Sequence, residues 1–367
     1  MKITITANQA ALFLFVFLTS SSIINIPSPL ISFAGNSAWL SLIFSAICGL
    51  LIAFPVIWLA RVFPGKSFIE YSREVVGTPI TFLLGLPFLF YQIHMAAAIV
   101  LDIAMFMKSS MMRETPAFWF IFLTFMVVAV SVHSGIDKIT GLFPVLMGNV
   151  LFFVFLIIIM SYKNYHPSNI FPIMPDGVKP FLHGVYFSFG FPYVEIVLFS
   201  MVLPYVPSLG KKFGRKLSSA ILWNAFCLVA ATVVTIFVFG PIAGERKYSL
   251  FEVARTVNIA DVFQRIEALI GYSLIVASFM KTTIVLFTAH QTCIHLIGLK
   301  EDKMLIYPLA MLMAIISCTA ILKGDVQWGF EVSAIHPMWG FTCAGLPLLI
   351  VFIVALLRKK KPAAAAS

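Results

Sequence analysis

One feature recurs along almost the whole chain: stretches of about twenty residues with scarcely a charge in them. A bilayer-spanning helix needs roughly 20 mostly apolar residues. Ten candidates can be marked, at 8–33, 38–60, 81–107, 116–132, 141–160, 181–205, 217–239, 266–297, 304–322 and 337–357. The shortest is 116–132. The segments lack the two-residue alternation of a membrane barrel, which leaves a helical bundle, because a helix satisfies its own backbone in lipid. Composition agrees. The 367 residues are 60% hydrophobic and 11% charged, with a mean hydropathy of +1.00, whereas soluble domains hold about 25% charged residues. Lys2 and the apolar run behind it look like a signal peptide. No small-x-small cleavage site leads from that run into a soluble domain, so it is read as the first span.

The net charge of +10 sorts by loop and does not point to nucleic acid. With ten spans and an inner N-terminus, the inner segments hold fifteen Lys and Arg residues, among them Arg61, Lys66, Arg73, Lys211, Lys212, Arg215, Lys216 and the closing run from Arg358 to Lys361. The outer loops hold nine, and Lys281 lies inside a span. Positive charge on the inner side predicts both termini in the cytoplasm. Residues 1–358 read as one polytopic domain, and 359–367 as a basic, low-complexity cytoplasmic tail. The five cysteines lie in or beside apolar spans without metal-ligand spacing, and read as small packing residues. Two outer loops stand out: 161–180, rich in Pro and Asn, and 243–267. In the second, Leu250, Val253, Ala254 and Val257 keep helical spacing, which predicts a short amphipathic helix on the membrane surface.

Ten spans divide into two fives, about 8–160 and 181–357. The first span of each five is interrupted. Span one runs through Thr19, Ser20, Ser21 and Ser22 to Asn25, Pro27 and Pro29, and span six holds Gly190 and Pro192. Interrupted helices at matching positions of two halves mark a midplane binding site. The broken backbone frees N–H and C=O groups that lipid cannot satisfy.

Three charges lie within spans: Asp102, Glu195 and Lys281. Each costs on the order of 2.5–3.5 kcal/mol at a helix centre on insertion scales, so such groups face cavities and pair. Glu195 follows the span-six break within one turn. Alone it would sit there neutral; a cation would keep it ionised. Lys281 is the candidate partner, with a tether between spans one and eight as the alternative reading. Asp102 lies near the outer end of span three, where snorkelling to the interface explains it. His94 and His290 are intramembrane without a metal-ligand pattern. Tyr91 and Met95 share one face of span three, as a cavity wall or as packing. No phosphate-binding, hydrolase or zinc-protease motif is present in the sequence, so no cofactor, metal or enzymatic activity is expected.

These marks, in order, are "ALFLF" leading to "IINIP", "FIEYSREVVG", "RETP", "SGIDKITGLFPVL", "SFGFPYVEIVLF" and "FQRIEALI". With them the chain resembles the B subunits of bacterial spore germinant receptors, within the amino acid–polyamine–organocation transporter superfamily. The resemblance covers nearly the whole chain. It implies an all-α, LeuT-like inverted repeat with broken helices one and six, in the inner membrane of the spore. It implies a pocket for a small nutrient germinant and, as partners, an A subunit and a lipoprotein C subunit. Carried onto this sequence, the pocket falls on Ser20, Ser21, Ser22, Tyr91, Met95, Phe191, Glu195, Lys281 and Val285. Two positions depart from relatives: three serines stand where Gly-rich small residues are common, and Lys281 stands where Thr is common. A lysine near the pocket can replace a sodium ion in the superfamily, which argues against sodium dependence here. A proton-coupled amino-acid permease working through Glu195 is the second reading, and a ligand-opened channel overlaps the first.

Overall fold

The computed structural model describes residues 4–207, 209–257, 266–299, 302–322 and 329–358. The basic tail expected at 359–367 lies outside the described residues, as do Lys2, Arg265, Lys300 and Lys323. Among the described residues there is no strand, and ten helical spans are long and apolar enough to cross a membrane.

Helix α1 (Ala7–Thr19) starts at a capping box, in which the Thr6 and Gln9 side chains each bond the other's backbone N–H. Its far end is where the serines begin. Ser20 departs from helical geometry at ψ −113°, and its hydroxyl bonds back to the Val16 carbonyl, competing with the helical ladder. One turn, α2 (Ser22–Asn25), and then α3 (Pro27–Ala34) complete the broken first span. Helices α4 (Ala38–Val62), α5 (Phe68–Val76), α6 (Thr78–Phe106), α7 (Ala117–Ser134) and α8 (Ile136–Met160) finish the first half. The second half repeats that order. Helix α9 (Val178–Ser188) is interrupted at Phe191 (φ −143°, ψ 104°) and continues as a 3₁₀ segment, Val194–Met201. Pro192 has no N–H to give back along this span, which favours the break there. Then come α10 (Phe213–Phe239), α11 (Ser249–Arg255), α12 (Glu267–Ile297), α13 (Ile306–Ile321) and the tenth span, Glu331–Leu357.

Each half therefore places one short helix between its second and third spans, α5 and α11. The end of α4 and the start of α10 meet where Arg61 reaches the Lys211 carbonyl. Following α10 to its other end leads to α11, so the two short helices cap opposite ends of the bundle. That is the signature of an inverted repeat.

Burial separates the core from the rim. In the most apolar windows of the first, sixth and eighth spans, 72%, 78% and 72% of residues are buried, against 28–39% in the fourth, fifth, ninth and tenth. The central spans are stitched by polar side chains, as packing within lipid requires. Asn224 donates to Thr19 at 3.1 Å, Gln92 to Thr292 at 3.1 Å, and Ser45 meets Ser188 at 2.6 Å. The expected short helix in 243–267 forms as α11, but Leu250, Phe251, Val253 and Ala254 are buried within the protein and not presented to a membrane surface. Its apolar stripe has a better partner in α12 than in lipid.

Candidate functional site

The two breaks face each other across the middle of the bundle, and the intramembrane charges lie between them. Lys281 projects from α12, fully buried. Its Nζ is 2.7 Å from Oε2 of Glu195, which is equally buried, and it donates to the Ser22 hydroxyl at 3.2 Å. Both sequence readings of Lys281 thus hold in one contact set: it pairs with Glu195 and ties span eight to span one. The Phe191 ring centroid lies 4.2 Å from the same ammonium and that of Phe17 5.7 Å away. The cation is enclosed by one carboxylate, one hydroxyl and two π-faces.

Glu195 has a second face. Oε1 is buried with no hydrogen-bond partner, and the residue lines a small cavity of about 30 Å³ with Met95, Asp102, Phe191, Val332 and His336. Beyond it, toward the α11 end, lies a larger cavity of about 400 Å³, bounded by Asn25, Ser28, Phe187, Lys247 and Tyr248. The two share Asp102, Phe191 and Val332 as wall. Phe191 sits at the non-helical position of span six, so the residue dividing the cavities is also the one where the backbone turns. Buried polar atoms without partners surround this region: Ser21 Oγ, Asn25 Oδ1, the Tyr91 hydroxyl, Ser278 Oγ and Thr282 Oγ1. Orphaned buried groups are rare in proteins, and these five lie at and beside the two breaks.

The nine residues expected in the pocket divide by placement. Met95, Phe191 and Glu195 line the small cavity. Lys281 and Ser22 stand behind Glu195. Ser21 is buried and unpartnered, and Ser20 is spent on the Val16 carbonyl. Tyr91 is buried against the tenth span, and Val285, one turn from Lys281, is buried and lines neither cavity. Asp102 corrects the snorkelling explanation: it lines both cavities. His94 meets Trp339 edge-on and lies tilted to His336, with centroids 4.8 and 6.3 Å away. His290 lies about two and a half helical turns from Lys281 and contacts the Asp302 carbonyl at 2.9 Å. Sequence reasoning missed His336, Val332 and Asn25 as lining residues. The tenth span reaches the site through two π-helical turns, Glu331–Ile335 and Phe341–Gly345, a device often found at functional sites. It also makes close backbone approaches. Gly190 packs on Pro337, and a Cβ at Gly340 would meet Val194 at 2.6 Å and the Tyr91 hydroxyl at 3.1 Å. Among the described residues no group of three His, Cys, Asp or Glu is placed to hold a metal.

A family model described as spore germination protein matches residues 4–323. The chain belongs to the spore germination protein family. The family expectation is thereby met, and the chain is a germination-related, permease-like, multi-pass membrane protein. Among curated relatives, spore germination protein KB of Bacillus subtilis (strain 168) is 23% identical, covering 98% of this chain and 96% of its own length. Spore germination protein YndE of the same organism is 22% identical over 95% and 96%. The fold recurs in solved transporters. A sodium-coupled sialic acid symporter in a substrate-bound, outward-open state superposes with a TM-score of 0.69 at 12% identity, covering 97% of this chain and 91% of that one. A manganese transporter of Eremococcus coleocola gives 0.62 at 14% identity, over 94% and 78%. At such identities these likenesses concern the fold alone. They agree with the LeuT-like arrangement of a five-plus-five repeat with broken spans one and six.

Proposed function

We propose that this member of the spore germination protein family is the nutrient-sensing transmembrane subunit of a spore germinant receptor. It sits in the inner membrane of the spore with both termini cytoplasmic. A small germinant, an amino acid or a sugar, binds at the breaks of spans one and six and shifts the subunit between conformations. An A subunit and a lipoprotein C subunit receive that shift. The nine residues from Ser20 to Val285, with Asp102 added, are the proposed binding region.

The observation that supports this reading best is the buried Glu195–Lys281 pair at the wall of a divided cavity. The small compartment, about 30 Å³, has the volume share of roughly one water molecule. The larger, about 400 Å³, falls within the roughly 300–1,000 Å³ typical of ligand pockets. A germinant that reaches Glu195 must therefore displace Phe191 and join the two. Such a displacement moves the backbone turn of span six, and binding becomes conformational change without a second device. The test compares spores with and without the gene across a panel of amino acids and sugars, following dipicolinic acid release. Loss of the response to one nutrient is expected. An unchanged response to every nutrient, in spores stripped of sister receptors, would refute the sensor.

The likeness to solved transporter folds favours a second reading, a permease that couples amino-acid movement to protons through Glu195. Labelled uptake by liposomes holding the purified chain, dependent on a proton gradient, decides for it.

A further inference from the structure

Away from the central site, a groove of about 300 Å³ opens on the bundle surface between α1 and α10, at the end that carries α5. Leu12 and Phe15 of α1 and Ala220 and Trp223 of α10 give it apolar walls, with Ser219 and Lys216 toward one end. Leu12 and Trp223 are exposed and Lys216 is half-buried. Lys216 closes the run Lys211, Lys212, Arg215, Lys216, and no Asp or Glu occurs in the sequence between Glu195 and Glu245. Lys216 has no carboxylate partner among the described residues.

Dimensions decide what fits. Seven residues separate Lys216 from Trp223, about 10 Å along a helix. A volume of about 300 Å³ spread over that length leaves a cross-section of roughly 30 Å². A helix with side chains, 10–12 Å across, needs well over twice that, while an extended hydrocarbon chain does not. A single-sign charge at the mouth of a narrow apolar slot on the membrane-facing surface matches a molecule with an anionic head and an alkyl tail.

We propose that this groove is a specific site for an anionic phospholipid, with an acyl chain along the Leu12–Trp223 wall and its phosphate on Lys216. The site is coupled to the first break. Asn224, next to Trp223, holds Thr19 at 3.1 Å, and Thr19 leads directly into Ser20 to Ser22. A lipid seated between α1 and α10 fastens the half-helix that ends at the break.

The test uses the full chain, purified in detergent and gently delipidated, with mass spectrometry counting retained lipid at equal phosphatidylglycerol and phosphatidylcholine. One phosphatidylglycerol is expected to survive conditions that strip phosphatidylcholine. Losing the one lysine that touches the bound phosphate costs about the worth of a single basic contact, roughly fivefold in retention, so Lys216→Gln should show that loss in detergent, where no charged membrane surface remains to count the other lysines. Lys212→Gln, equal in charge but outside the groove, should change retention less than twofold. Ser219→Trp fills the slot from an exposed position and should abolish retention. Equal retention of the two lipids, or equal effects of Lys216→Gln and Lys212→Gln, would overturn the proposal. So would protection of the chain by glycerol phosphate as strong as that by the lipid, which would mean a soluble-anion site.

Discussion

Removing Glu195 alone leaves the Lys281 ammonium fully buried, with one hydroxyl and two aromatic faces for company. Breaking a buried pair from one side typically costs about 3–5 kcal/mol, because the remaining charge is uncompensated. Glu195→Ala should therefore lower the unfolding midpoint of the purified protein by roughly 4–7 °C, at about 1.3 °C per kcal/mol for a chain of 367 residues. Lys281→Met should also lower it, but by less, because a buried carboxyl left without its cation takes up a proton and sits neutral; Oε1 already lacks a donor. The double variant Glu195→Leu/Lys281→Met removes both charges at similar volume. Such replacements are often neutral or stabilising, so its midpoint should return to the wild-type value or above. The coupling between the two sites should exceed about 1 kcal/mol. Germination separates stability from function: the double variant should fold and fail to respond. Single variants costing under about 1 kcal/mol, with additive effects in the double, would refute the claim that this is a coupled buried pair. A double variant that still responds would remove the pair from the ligand site.

Glu195→Gln keeps the shape of the group and should retain part of the dipicolinic acid response that Glu195→Ala loses; equal loss in both means the charge itself is needed. Phe191→Ala merges the two cavities, so a cysteine at Met95, buried in the native chain, should become reactive toward a water-soluble maleimide only in that background. Asp102→Asn should weaken the response to amine-bearing nutrients about tenfold and leave responses to neutral sugars unchanged, read from dose–response curves. Gly340→Val overpacks the contact with Val194 and Tyr91 and should cost about 1–3 kcal/mol, visible as a lower unfolding midpoint.

The spans, the two breaks and the two buried charges, Glu195 and Lys281, were legible in the sequence for one physical reason; that the charges meet was not. Lipid makes an unpaired charge or an unsatisfied backbone so unfavourable that each leaves a mark in an apolar run. Asp102 shows where that reasoning stops. A carboxylate near a span end gives the same one-residue signal whether it snorkels to the interface or faces a cavity, and only the packing of α6 against the tenth span separates the two. His336 gave less still, because the π-helical turns that carry it into the site leave no hydrophobic period to read. Val285 shares its helical face with Lys281, but one turn is enough to carry it out of the cavity. The α11 stripe was read correctly as apolar and assigned to lipid, because the sequence does not say that α12 lies beneath it.

The close approach of the tenth span to the site has a mechanical consequence. Where Gly190 rests on Pro337 and Gly340 on Val194, no long side chain stands between the two spans to bend and absorb displacement. A rigid seam of this kind transmits force instead of damping it. When the turn at Phe191 moves, the tenth span moves with it as one lever. Its outer surface, where Met338 is exposed, would carry that movement to whatever stands next to the protein in the membrane.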